Sequence, residues 1–141
     1  MKKILTLLLL GCILSLAGMA GCTSTDTSSP VVVEYHRTGG FAGFNDTVVV
    51  YENGTAEVSR HGDLSEVALD ADDIQRIQSM TTSDAFLSLQ DEYVPAQQGY
   101  DLFSYEVKAG GKTVRAVDGA VPEALTGIIS EMDGIITQSM A

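Results

Sequence analysis

Apolar and polar residues alternate along five stretches of the chain, and this alternation predicts β-strands with one buried face. The dipeptide Asn53-Gly54 separates two of these stretches and predicts a tight hairpin turn. A glycine-rich segment separates another pair and predicts the tip of a second hairpin. The five predicted strands are residues 31–35, 47–51, 55–60, 101–108 and 113–117.

Two other stretches carry apolar residues at helical spacing. Asp70 is predicted as the N-cap of the first helix, and Pro122 fits the first turn of the second. The apolar stripes predicted to face the core are Ile74, Ile77 and Met80 in the first helix and Leu125, Ile128, Ile129, Met132, Ile135 and Ile136 in the second.

The remaining segments of the domain predict turns and loops. Residues 64–69 are predicted to be irregular, and residues 91–98 are predicted to form a surface loop around Pro95. Residues 84–89 predict a short helical turn whose Phe86, Leu87 and Leu89 close over the core. The resulting order βββαββα predicts a single α+β domain over residues 31–141, with an antiparallel sheet of about five strands and two helices packed on one face.

The segment of residues 37–46 is a candidate binding loop. Its glycines permit backbone conformations that other residues avoid, and it holds two phenylalanines between two predicted strands. Aromatic side chains exposed on a loop usually bind a partner, whereas aromatics at a hairpin end also commonly cover a core. Both alternatives are open at this point. The predicted partner-binding residues are Arg37, Gly39, Gly40, Phe41, Ala42, Gly43 and Phe44.

The N-terminal residues predict export. Residues 1–3 are basic at Lys2 and Lys3, residues 4–20 are apolar and uncharged, and small residues directly precede Cys22. This pattern predicts a signal peptide over residues 1–21. It resembles a prokaryotic lipoprotein signal, which implies cleavage before Cys22, a lipid on its thiol and an anchor in the cell membrane or envelope on the extracytoplasmic side. Cleavage near Ala20 with plain secretion is the alternative.

A Ser/Thr-rich stretch without periodicity follows the predicted lipidation site. Residues 22–30 therefore predict a flexible tether between the membrane and the domain. A second small-residue box ends at Cys12, but it would leave an apolar region of only about seven residues, at the short end for a signal peptide. Once the leader is removed at Cys22, no second thiol is left to pair with it, so the domain depends on packing alone.

The chain is strongly acidic, with a formal net charge of −11. Without Lys2 and Lys3, six basic residues face nineteen acidic ones, which gives −13. Because nucleic acids and anionic lipid surfaces are bound through clustered Lys and Arg, the charge argues against both as partners. Solubility outside the membrane explains the acidity, and a basic protein partner is the sharper alternative. We expect a monomer.

Motifs for catalysis and cofactor binding are absent from the sequence. His36 and His61 are the two histidines, and neither has an acidic residue at the spacing of a zinc motif. No nucleophile elbow or phosphate-binding loop is present, so we predict neither an enzyme nor a cofactor or metal. Asn45 and Asn53 each begin an acceptor pattern for N-glycosylation at a predicted hairpin tip.

Several motifs together resemble the protealysin-inhibitor (emfourin-like) family. They are Tyr35-His-Arg-Thr-Gly-Gly-Phe-Ala-Gly43, Gly99-Tyr-Asp101 with Phe103 and Tyr105, Val117-Asp118, and Val121-Pro122-Glu123. The resemblance covers roughly residues 31–136, and its most specific part is the Gly-Gly-Phe-Ala-Gly segment.

This resemblance implies a domain like those that inhibit thermolysin-like zinc metalloproteases. We expect residues 39–44 to enter a protease cleft, with Phe41 or Phe44 in an apolar pocket and Glu34 or Asp46 as weaker candidates to approach the zinc. The alternative function is a structural or accessory envelope lipoprotein without inhibitory activity. A third, minor alternative is a small-ligand or metal binder that uses His36 and His61.

Overall fold

The centre of the protein is a seven-stranded, mostly antiparallel sheet, seen in a computed structural model that describes residues 29–97 and 99–141. The order across the sheet is β4-β3-β2-β1-β6-β7-β5, and only the pairing of β5 with β7 is parallel. The strands are β1 (Val31–Gly39), β2 (Phe44–Tyr51), β3 (Thr55–Arg60), β4 (Asp63–Ala68), β5 (Glu92–Tyr93), β6 (Phe103–Ala109) and β7 (Lys112–Val117).

The predicted antiparallel sheet of about five strands is therefore wrong. β4 lies in residues predicted to be irregular, where it pairs with β3 along its whole length. β5 lies in the predicted surface loop, where Arg115 N donates to Asp91 O at 2.8 Å and aligns the chain parallel to β7. Both missed strands are the edges of the sheet, so the error changes its width and leaves its centre unaffected.

Three helices accompany the sheet: α1 (Ala71–Thr81), α2 (Asp84–Leu87) and α3 (Glu123–Gln138). The predicted N-cap of α1 is confirmed, because the Asp70 side chain accepts a hydrogen bond from Asp73 N. The predicted stripe of α3 is also confirmed, since all six of its members are buried. The predicted helical turn after α1 forms α2, so the count of two helices is corrected to three.

One hydrophobic core joins the sheet to the helices. α1 and α3 pack against each other and against the central strands. Tyr35, Val48 and Val58 are neighbours on one face of the sheet and are fully buried beneath them. All core residues in the described part of the chain lie between Val32 and Ile136. A chain that begins at Thr23 therefore contains the whole of this core.

The two ends of the sheet differ in what they present. β1 begins at Val31 and ends at Gly39, where it pairs with Phe44 of β2 and Phe103 of β6. We call the surface at this far end the rim, and it is formed by residues 40–43, 61–62 and 99–102. Pro30 lies at the opposite end, where its carbonyl accepts from Glu52 N at 2.9 Å.

The predicted signal peptide of residues 1–21, the predicted lipidation site Cys22 and most of the predicted tether lie outside the described residues. Among the residues that are described, no helix is long and apolar enough to cross a membrane.

Candidate functional site

The β1–β2 loop holds Phe41 in the solvent at the rim. Residues 40–43 turn the chain, and Gly43 N donates to Gly40 O at 3.0 Å. Gly39, Gly40 and Gly43 all have positive φ, so this turn depends on glycine at those positions. The Phe41 side chain is 93% exposed, and Ala42 beside it is exposed as well. Phe41 is thus the projecting member of the predicted binding loop.

Phe44 occupies a different position, at the base of the loop. Its ring lies 5.5 Å from the ring of Phe103 and 6.2 Å from that of His61, measured between centroids. The Arg37 guanidinium carbon lies 5.4 Å from the Phe44 centroid and 5.5 Å from the Phe103 centroid. Arg37 and Phe44 therefore support the loop from below, and the guanidinium adds a cation–π attraction to both rings.

A cluster of ion pairs around the buried Asp46 fixes Arg37 in this position. Its Nη2 donates to Asp46 Oδ2 at 2.6 Å, and its Nη1 donates to Asp133 Oδ1 at 2.9 Å. The Asp46 side chain is completely buried and also receives Arg60 Nε at 3.4 Å. The Tyr35 hydroxyl donates to Asp133 at 3.2 Å. These bonds connect β1, β2, β3 and α3 directly below the loop.

Asp118 holds the start of β6 through two hydrogen bonds. Its two carboxylate oxygens accept from Phe103 N and from the Tyr105 hydroxyl, each at 2.9 Å. Burial raises the pKa of the Tyr105 hydroxyl, and the bond to Asp118 raises it further. Burial likewise raises the pKa of Tyr35, to which the charge of Asp133 adds. Both phenols are therefore protonated at neutral pH and donate hydrogen bonds to carboxylates. Their role is to hold these side chains in place and not to transfer protons.

A second exposed aromatic side chain lies beside the loop. Tyr100 is 97% exposed, and its segment is joined to the β1–β2 loop because Gly40 N donates to Leu102 O at 3.1 Å. In the sequence, Tyr100 belongs to the motif Gly99-Tyr-Asp101 that contributes to the family resemblance, and it is not among the predicted binding residues. The signal that could have found it is an aromatic side chain in the otherwise polar stretch from Gln97 to Asp101.

Both histidines contact Asn45. His36 Nε2 is 2.8 Å from Asn45 Oδ1, and His61 N donates to Asn45 O at 3.2 Å. Within residues 29–97 and 99–141, no group of three or more His, Cys, Asp or Glu side chains could hold a metal ion. Asn45 and Asn53 are both exposed, and Asn53 Oδ1 accepts from Thr55 N in its turn.

The sheet face away from the core forms a shallow cavity of about 250 Å³ across β1, β6, β7 and β5. His36, Glu106 and Arg115 are among its lining residues. Arg115 Nε donates to Glu106 at 2.6 Å, and Lys108 Nζ lies 3.1 Å from the same carboxylate. Because these charges already compensate one another, the rim is the stronger candidate for the functional site.

Comparison with known proteins found no similar protein. No protein-family model, curated protein or solved structure matches the chain. The resemblance to the protealysin-inhibitor family therefore stays a prediction that depends on the motifs, and the rim is the candidate site on structural grounds.

The loop glycines give a direct test of how the rim is built. Gly39 has φ +99°, and a Cβ there would collide with the carbonyl oxygen of Leu102. We expect Gly39→Ala to lower the free energy of unfolding by about 2 to 3 kcal/mol, through backbone strain and this collision. Gly43→Ala is the matched control. It shares the strain at φ +63° but meets nothing within 4 Å, and should cost only about 1 kcal/mol. Equal losses in urea unfolding would contradict the tight approach of the two loops.

Proposed function

We propose that the protein is a lipid-anchored extracytoplasmic inhibitor that binds a thermolysin-like zinc metalloprotease through residues 39–44. The observation that carries the proposal is Phe41, a large apolar side chain that is 93% exposed at the tip of a structured loop. Single aromatic anchors that enter a pocket commonly dominate binding energy at protein interfaces. The family resemblance supplies the class of partner.

The loop is preorganised for such an interaction. Its base is held by the packed rings of Phe44 and Phe103 and by the buried pair of Arg37 with Asp46. A binding loop that is already ordered loses little conformational entropy when the partner arrives, so more of the contact energy appears as affinity. In the proposal Phe41 contacts the protease, while Arg37 and Phe44 hold the loop in shape.

The position of the chain's N-terminal side is compatible with anchoring. The polypeptide reaches β1 at Val31, at the end of the sheet opposite the rim. β1 has nine residues, so the rim lies roughly 30 Å away along the strand. A lipid on Cys22 would therefore leave Phe41 directed away from the membrane and accessible to a protein in the extracytoplasmic space.

Inhibition of thermolysin by a chain that begins at Thr23 tests the proposal. We expect inhibition by the wild-type chain and a loss of about 2 to 4 kcal/mol of binding free energy in Phe41→Ala. This corresponds to an inhibition constant raised by about 30- to 700-fold. Because Phe41 is almost fully exposed, the variant should unfold at the same urea concentration as the wild type.

Leu87→Ala is the matched control for this experiment. Leu87 is 47% exposed and lies beside the β6–β7 turn, at the end of the sheet away from the rim. Its replacement should leave inhibition unchanged. Absence of binding by the wild-type chain at micromolar concentration would reject the proposal and favour an accessory envelope lipoprotein without inhibitory activity.

A further inference from the structure

We propose that Tyr100 is a second anchor of the same surface, so that the rim binds at two points. The two-loop surface of residues 40–43 and 99–102 then fits the substrate cleft of a protease with two neighbouring apolar subsites and a positively charged border. This inference rests on the proposed function, and it adds a second contact residue and the chemistry of the partner.

The exposed apolar side chains single out this surface. Among the described residues, seven large hydrophobic side chains are exposed, and only Phe41 and Tyr100 of these are aromatic. Both lie on the rim, on loops that touch each other. Tyr is enriched among the residues that dominate binding, since its large rigid ring has few rotatable bonds and its hydroxyl can form a hydrogen bond.

Backbone contacts join the bases of the two loops that carry Phe41 and Tyr100. Gly39 pairs with Phe103 in the ladder between β1 and β6, and Gly40 N donates to Leu102 O at 3.1 Å. Asp118 secures the same corner through its bond to Phe103 N. Asp101 has φ +63°, a left-handed conformation that Asp adopts more readily than most residues. The second loop is thus attached to the first at Leu102 and Phe103, which directly follow Tyr100 and Asp101.

The charges at the rim indicate which charge the partner should carry around its binding cleft. All six Lys and Arg residues in the described part of the chain form ion pairs with its own carboxylates. Eighteen acidic residues lie in the same part of the chain. Two of them, Asp63 and Asp101, are exposed at or next to the rim and form no ion pair with any described residue. The rim therefore presents aromatic rings beside uncompensated negative charge, which is complementary to a basic border.

A double-mutant experiment on inhibition of thermolysin tests the second anchor. The variants are Phe41→Ala, Tyr100→Ala and the double variant, with Leu87→Ala as control and Tyr100→Phe as the conservative replacement. We expect Tyr100→Ala to raise the inhibition constant at least tenfold, with unchanged urea unfolding because the side chain is 97% exposed. Tyr100→Phe should retain most of the affinity, since it keeps the ring.

The outcomes separate this inference from the proposed function. A large loss in Phe41→Ala with none in Tyr100→Ala would overturn the second anchor and leave the proposed function in place. Failure of the wild-type chain to inhibit would overturn both. The charge of the border is tested separately by the rate at which the protein associates with thermolysin. This rate should fall as the NaCl concentration is raised. A rate that does not depend on salt would overturn the positively charged border.

Discussion

Replacement of Asp46 by alanine is expected to lower the free energy of unfolding by about 3 to 5 kcal/mol. The Asp46 carboxylate is completely buried and compensates Arg37 and Arg60 at 2.6 and 3.4 Å. Its removal leaves the Arg37 guanidinium, which is 15% exposed, with only the partly exposed Asp133 as partner. A mostly buried charge that keeps only one partly exposed partner costs more than the net gain from forming the pair.

Urea unfolding of three variants separates the buried charge from ordinary ion pairing. Arg76→Ala removes exposed pairs with Asp73 and Glu131 and should have a much smaller effect. The double variant Arg37→Met with Asp46→Leu removes the closest pair of the cluster and should recover part of the lost stability, because Arg60 and Asp133 each lose a partner but are more exposed. If Asp46→Ala proves as mild as Arg76→Ala, the cluster does not have the role in the fold that we assign to it.

Replacement of Phe86 by alanine is the second large expected effect, with a loss of about 3 to 5 kcal/mol. Phe86 lies in α2 and is fully buried in the common core, so truncation leaves a cavity in addition to the lost transfer energy. Its position is set by the Ser83 side chain, which caps α2 by accepting from Phe86 N at 3.2 Å.

The adjacent residue supplies the control. Leu87 is 47% exposed, and Leu87→Ala should cost far less than Phe86→Ala. Both losses are measurable as shifts in the urea midpoint at unchanged slope. Similar values for the two variants would mean that α2 does not direct Phe86 and Leu87 to different environments.

The helices could be read from the sequence because their signals are local. Asp70 caps its own helix through a bond to a residue three positions away, and the α3 stripe is continuous from Leu125 to Ile136. The same reading failed for Leu87, which was expected to close over the core. A short helical turn has too few residues for its period to show which side faces inward.

The two edge strands were missed for different reasons. In β4, Leu64 is 80% exposed and Val67 is buried, so the two large apolar residues face opposite sides and no alternation appears. In β5, two residues pair with β7 because Asp91 O accepts from Arg115 N. The partner strand lies more than twenty residues further along the chain, so the pattern within eight consecutive residues cannot predict this pairing.

The sequence predicted the candidate binding loop, but it did not predict that Phe41 and Phe44 have different environments. The glycines and aromatics of residues 39–44 indicated a loop at a hairpin tip. The separation of an exposed Phe41 from a packed Phe44 depends on Phe103 and Arg37, which approach from the neighbouring strand and from β1 itself. Tyr100 can be recognised as a candidate binding residue only in the structure, where its segment lies beside Gly40.

The course of β1 also determines how the domain would carry mechanical load. A partner held at the rim and a membrane attachment beyond Val31 would pull on opposite ends of this one strand. β1 lies between β2 and β6, with its ladder bonds perpendicular to that pull, so they would be loaded in shear and would have to break together. With the predicted anchor and the proposed partner in place, the domain would therefore resist extension along the line that joins the two.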